Sequence, residues 1–341
     1  MSTTMNPHAV RFTVDPGELV FHGASLVRPE CVVATRSGDL YAADWRGGVS
    51  RTSLSGKVEL YLGAMPQDAE SAPPRVARPN GIALRKDGSS LFADLGETKG
   101  GVFSLTRQGD IRNFLSTVNG LDLPPSNFVM EDGCGRTWIT VSTRQVPRAL
   151  GYTRKVADGF IVVVDGKDAR IVADGLGYTN EIGLSPDGRW LYVNETFHRK
   201  LSRFTVRADG SLSGYEVVTE FGPGQFPDGL AFDDGGGVWI ACIIGNQVIR
   251  VAPDGEQAVI LADTDIGYID WVEQAYTAST LGRAHLDKPH QMRLKNLSSI
   301  AFGGADLRTA YLGSVLGDAI ASFRIPDHVD LRGHAPSHWD Y

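Results

Sequence analysis

One phrase recurs six times along the 341 residues: a polar residue opening an apolar strand, a tight turn, and a second strand rich in aromatic and β-branched side chains. It begins at Glu30, Asn80, Asn127, Asn180, Asp228 and Ser298, at intervals of about fifty residues with one longer stretch of about seventy before Ser298. A repeat of this period predicts an all-β, six-bladed β-propeller with four antiparallel strands per blade. In the fourth copy the two outer strands are legible at 200–206 and 215–220. Asp87-Gly88, Asp132-Gly133, Asp187-Gly188 and Asp254-Gly255 lie between strands and are expected as hairpin turns only. The sixth copy runs out of chain, so residues 18–22 are expected to supply its outer strand and remove the open edge of the ring. The chain reads as one domain, 1–341, with insertions at 142–159 and 263–295 placed as lids over the pore.

Composition narrows the function classes. A net charge of −7 disfavours a nucleic-acid partner, which needs a basic surface. No apolar run reaches the length of a membrane span. Residues 1–10 are polar and lack the apolar core of a signal peptide, so a cytoplasmic protein is expected. Cys31, Cys134 and Cys242 have no metal-type spacing and read as buried free thiols of a reducing compartment. There is no Gly-x-Ser-x-Gly elbow for a serine hydrolase, and Gly235 to Gly237 read as a turn, not a phosphate loop.

In a propeller the first residue of each innermost strand sits at one mouth of the pore. The loop joining the second and third strands reaches the same mouth. Five of the six openers, Glu30, Asn80, Asn127, Asn180 and Asp228, are amides or carboxylates. Crowding such groups in a narrow pore is costly unless something pairs with them. A hard divalent cation, Ca²⁺ or Mg²⁺, suits that set of oxygens. Taken singly, each position also fits the ordinary preference of Asn and Asp for loop ends.

The phrases Phe226-Pro-Asp-Gly-Leu-Ala-Phe, Arg78-Pro-Asn-Gly-Ile-Ala-Leu, Leu184-Ser-Pro-Asp-Gly-Arg-Trp and Gly245-Asn-Gln-Val-Ile-Arg-Val resemble the gluconolactonase, senescence-marker-protein and luciferin-regenerating-enzyme family. The resemblance spans about 30–325 and implies a metal-dependent lactone hydrolase. By that resemblance Glu30, Asn180 and Asp228 hold one divalent metal ion, Ca²⁺ foremost, with Mg²⁺, Mn²⁺ or Zn²⁺ able to take the same ligands. Asn127 takes the place of a substrate-contacting residue, and Asn80 touches metal or substrate. Two departures stand out: Arg28-Pro-Glu-Cys at the first opener, and Thr179-Asn-Glu-Ile where Asn-Gly is usual. Strand alternation points the extra carboxylate, Glu181, away from the axis.

In such a site Asp228 can accept a proton from water, and Asn127 can hydrogen-bond a developing oxyanion. His198 is a second candidate base, set against the reading of it as a loop histidine; His285 and His290 stand in the same position. Trp45 is a candidate pocket wall, set against ordinary blade packing. Aromatic and aliphatic residues in 263–295 (Tyr268, Trp271, Tyr276, Leu281) suggest a lactone or ester larger or more apolar than a simple sugar lactone. Arg144, Arg148 and Arg154 make the other lid basic. The rival readings are a non-hydrolytic pore enzyme (isomerase, lyase or condensing enzyme) and a propeller that only binds protein.

Overall fold

The computed structural model describes residues 12–66, 75–288, 292–336 and 340–341. Among them the strands form six four-stranded antiparallel sheets, at 32–62, 79–115, 126–176, 179–220, 225–262 and 297–324, the last completed from the N-terminal side. These are the six predicted blades. The strand Val20–His22 pairs antiparallel with the final strand, Ile320–Arg324, in the register Val20 to Ser322. Residues near the start of the chain thus close the ring, as their sequence position requires.

Each blade presses both faces on its neighbours, so its middle strands are buried on both sides. Leu40–Asp44, Ser90–Asp94, Thr137–Val141 and Val238–Ile244 are buried at every residue. Burial on both faces suits their largely apolar make-up and leaves them no solvent-facing side. Outer strands such as Leu212–Glu220 are largely exposed. Between blades 5 and 6, Trp239 is fully buried, with Phe302 edge-on at 5.2 Å.

The Asp-Gly turns behave as turns, with one amendment. Gly88 has φ +84°, a conformation that favours glycine, and Asp87 Oδ1 accepts from Ser89 N at 2.9 Å. Asp132 does more than turn the chain. Its buried carboxylate accepts from Trp138 Nε1 at 2.9 Å and Arg136 Nε at 2.7 Å. Asp233 repeats the device in blade 5, accepting from Trp239 Nε1 at 2.8 Å and Arg250 Nε at 2.6 Å. Each aspartate ties the end of an inner strand to the indole of the next one. The cysteines also depart from expectation in part: Cys31 and Cys242 are buried, but Cys134 is exposed on the turn beside Asp132.

The two insertions differ in kind. Residues 142–159 contain a short 3-10 helix, Arg148–Gly151. Residues 263–295 form α1 (Ile266–Thr277) and the short α2 (Arg283–Leu286). Tyr268, Ile269, Val272 and Tyr276 of α1 pack with Phe197 and Phe226 of blades 4 and 5 in one apolar cluster.

Candidate active site

Five of the six inner strands carry a register break at their opening residue. The breaks lie between Pro79 and Ile82, Ser126 and Phe128, Thr179 and Ile182, Pro227 and Leu230, and Leu297 and Ser299. These spans contain Asn80, Asn127, Asn180, Asp228 and Ser298. A bulge re-aims a side chain that regular pleating would send elsewhere. Here it allows neighbouring strand openers to converge near the axis.

The bulges also bring inner backbones close together. A Cβ on Gly81 would meet Phe128 Cα at 2.6 Å, and one on Gly229 would meet Ser299 Cα at 2.5 Å. In blade 4 the same position is Glu181. Its carboxylate does not point away from the pore, as alternation predicts. It is buried, and Oε2 accepts from Leu230 N of blade 5 at 3.2 Å. Burial, followed by the Glu30 carboxylate, raises its proton affinity well above the usual carboxylate range.

Glu30, Asn127, Asn180 and Asp228 line one narrow cavity at the mouth. Its free space is about 40 Å³, room for an ion and a few waters. A larger cavity of about 550 Å³ opens at the other end of the pore. Its walls are mainly apolar, with Val33, Leu84, Phe128, Leu184 and Phe232 among them and Glu181 at its inner end. The smaller cavity holds the concentrated chemistry.

The other predicted residues take supporting places. Asn80 lies behind Asn127, donating from Nδ2 to Asn127 Oδ1 at 3.0 Å. Asn127 Nδ2 in turn donates to Ser142 Oγ at 2.7 Å. Trp45 does not line the cavity; its indole donates to Pro79 O at 3.0 Å, and Arg28 lies 4.1 Å above its ring. His198 also falls outside the lining, with Nε2 3.0 Å from Val156 O, where it braces the 142–159 lid. His285 stacks on Trp271 at 4.2 Å. His290 lies outside the described residues.

The carboxylates closing the second strands serve the scaffold rather than the pore. Asp44 accepts from Val27 N, Asp94 from Arg78 N and Glu195 from Gly177 N, at 3.2, 2.8 and 2.7 Å. Each pins the linker that leads into the inner strand of its own blade.

Those linkers carry residues that sequence reasoning missed as site residues. Arg28, Tyr178 and Asn296 have φ of +58°, +66° and +66°, each lies two positions before a strand opener, and each lines the cavity. Left-handed backbone costs a non-glycine residue about 1 kcal/mol or more and marks sites where tertiary structure imposes a conformation. Arg28 Nε donates to Glu30 Oε2 at 2.8 Å, so one oxygen of the first opener is committed to an ion pair. The two insertions add Arg148, Tyr152, Arg283 and Leu286 to the lining.

The donor set fits a hard divalent cation. Asn180 Nδ2 donates to Thr196 Oγ1 at 2.9 Å, while its Oδ1 is buried with no hydrogen-bond partner among the described residues. It shares its cavity with the Glu30 and Asp228 carboxylates, a set of oxygens that would suit a hard cation. Burial, then Glu30 and Glu181, push the Asp228 carboxyl well above its usual range; a cation would offset that repulsion. Among the described residues no three His, Cys, Asp or Glu side chains cluster as a metal site. No helix among the described residues is long and apolar enough to cross a membrane.

Comparison with known proteins agrees with this architecture. A 6-deoxy-6-sulfogluconolactonase of Pseudomonas putida is 27% identical over 237 residues, covering 68% of this chain and 67% of that protein. A gluconolactonase structure from Xanthomonas campestris superposes with a TM-score of 0.65 at 19% identity, over 90% of this chain and 89% of that one. The calcium-binding protein regucalcin of Agrobacterium tumefaciens superposes with a TM-score of 0.61 at 17% identity, over 97% and 99%. Residues 95–262 match the family described as SMP-30/Gluconolactonase/LRE-like region, the family that this six-bladed propeller resembles.

Proposed function

We propose that the protein is a metal-dependent hydrolase that opens a lactone. The observation that carries this reading is the buried Oδ1 of Asn180, without a partner among the described residues, in one cavity with Glu30 and Asp228. The lactonase names of relatives such as the Pseudomonas putida protein support it. Glu30, Asn180 and Asp228 would hold the cation, with Ca²⁺ favoured by the all-oxygen set and by the calcium-binding neighbour of the same fold. When bound, the cation polarises the lactone carbonyl and lowers the pKa of water.

The chain's own residues divide the remaining work. Asp228 takes the proton as water oxygen bonds to the carbonyl carbon. It returns that proton to the ring oxygen as the carbon–oxygen bond of the lactone breaks. Asn127, held by Asn80 and Ser142, presents its remaining amide hydrogen to the substrate. His198 serves the lid, since its ring is engaged with Val156 outside the cavity.

The substrate reading also changes. The expectation of a larger or more apolar lactone rests on the aromatic residues of 263–295. Tyr268, Tyr276 and Leu281 pack with one another and with Phe197. Among the described residues of that insertion, Arg283 and Leu286 line the cavity. The polar lining favours a polar lactone presented at the mouth of this cavity.

The test is direct. Chelator-treated protein is titrated with Ca²⁺, Mg²⁺, Mn²⁺ and Zn²⁺ by calorimetry, and opening of aldonolactones is followed by acid release in labelled water. Cation binding that Asp228→Asn abolishes, with label in the product, supports the reading. Failure of every cation to bind, or product without label, overturns it.

A further inference from the structure

Three guanidinium groups line the cavity: Arg28 from the first linker, Arg148 from the first lid and Arg283 from the second. They come from segments far apart in sequence, in a chain whose net charge is −7. Their partners differ. Arg28 is paired with Glu30 at 2.7 Å. Arg283 Nε donates to Asp287 Oδ2 at 2.6 Å, a pair that is partly open to solvent. Arg148 Nε donates to Tyr178 Oη at 2.8 Å and its Nη2 to Ser142 Oγ at 3.3 Å. No carboxylate lies within ion-pair distance of Arg148 among the described residues.

The charges around the cavity then fail to balance for a neutral substrate. A divalent cation would neutralise Glu30 and Asp228; Arg283 keeps Asp287, Glu181 is engaged by Leu230 N, and Arg148 would be left with no carboxylate to offset it. A neutral lactone entering would strip water from Arg148 without supplying a counter-charge, which is costly. An oxyanion would supply it, and the planar guanidinium matches carboxylate, sulfonate or phosphate oxygens two at a time. The tyrosine that Arg148 holds, Tyr178, lies edge-on to Tyr152 at 5.3 Å. The two rings leave the guanidinium little freedom to swing out to solvent.

Resting on the lactonase reading, we infer that the lactone opened here carries a negatively charged group, bound between Arg148 and Arg283 on the mouth side of the cation ligands. Ser142 links the two subsites: its hydroxyl takes hydrogen bonds from both Asn127 and Arg148. An anion at Arg148 therefore fixes the ring relative to Asn127.

The experiment compares gluconolactone with the same ring bearing a 6-carboxylate, 6-sulfonate or 6-phosphate, using the full chain with saturating Ca²⁺. The charged lactones are expected to show a kcat/KM about 10- to 100-fold above the neutral one, the size of one or two charge-assisted hydrogen bonds. Comparison of the three arms identifies which oxyanion. Arg148→Gln and Arg283→Gln are expected to collapse that ratio toward one, and Arg148→Lys to restore part of it. Calorimetric binding of the ring-opened charged acids gives a readout independent of turnover. Binding of the 6-charged acid tighter than gluconate, which carries only the carboxylate made by ring opening, and weakened by Arg148→Gln, upholds the anion subsite even if no lactone is opened. Equal rates on neutral and charged lactones, or acid binding indifferent to both substitutions, overturns it.

Discussion

Thr196 accepts a hydrogen bond from Asn180 Nδ2 at 2.9 Å, and the same hydroxyl donates to Pro227 O at 2.8 Å. One side chain therefore orients the Asn180 amide of blade 4 and the backbone beside Asp228 of blade 5. Thr196→Val keeps the volume and removes both bonds. Cation affinity should fall about 10- to 100-fold, the usual effect of losing a group that orients a ligand. Thr196→Ser should restore it. Titration calorimetry on the two variants decides; equal affinities for valine and wild type would separate Thr196 from the site.

Helix α1 is fastened to the blades by charge as well as by packing. Arg199, sandwiched between Phe226 and Tyr276 at 4.2 and 4.3 Å, is ion-paired with Glu273 of α1. Glu273 Oε1 also accepts from Gly224 N at 2.8 Å. Glu273→Ala leaves a guanidinium 4% exposed without its carboxylate. Amides of 266–277 should exchange at least about tenfold faster, while those of the inner strands keep their protection. Uniform loss of protection would mean the pair holds the whole ring rather than the lid.

Blade 5 depends on Asp233, which is fully buried with Arg250 and Trp239. Asp233→Asn should cost about 3–5 kcal/mol, because it removes one charge of a buried pair. Urea denaturation should show the midpoint falling with little change in slope. The exposed pair Arg189–Asp187, by contrast, should cost under about 1 kcal/mol when broken.

The ring closure carries a pH dependence. His22 lies on the N-terminal strand, with Nε2 2.7 Å from Ser322 Oγ, and burial lowers its pKa below 6.5. The unfolded chain then binds the proton more readily than the folded one. Stability from this group is intact above about pH 6.5 and is lost as pH falls through that value toward the folded pKa. Thermal melts of wild type and His22→Gln should converge in slope above that pH and diverge below it. Identical profiles down to pH 5 would remove His22 from the account.

The fold was legible because its cause is periodic. A repeat of about fifty residues, alternating strands and Asp-Gly turns are local signals, and each blade repeats the same local solution. The polar openers were legible for the same reason, since their position in each phrase places them at one mouth. Glu181 was misread because alternation assumes a regular strand, and the bulge at Thr179 to Ile182 is a consequence of blades meeting at the axis. His198 and Trp45 sat on the right loops, but loop direction is set by contacts with Val156, Pro79 and Arg28, which adjacency in sequence does not encode.

The sequence by itself determined six blades, the closing strand at Val20–His22 and the ring of oxygen-bearing side chains from Glu30 to Asp228. Only the tertiary structure decided that Asn180 Oδ1 has no hydrogen-bond partner among the described residues and that Arg28, Arg148 and Arg283 share its cavity. The physical reason is range. Strand and turn preferences act over a few residues, whereas the charge balance of the pore is a sum over segments that meet only when the ring is closed.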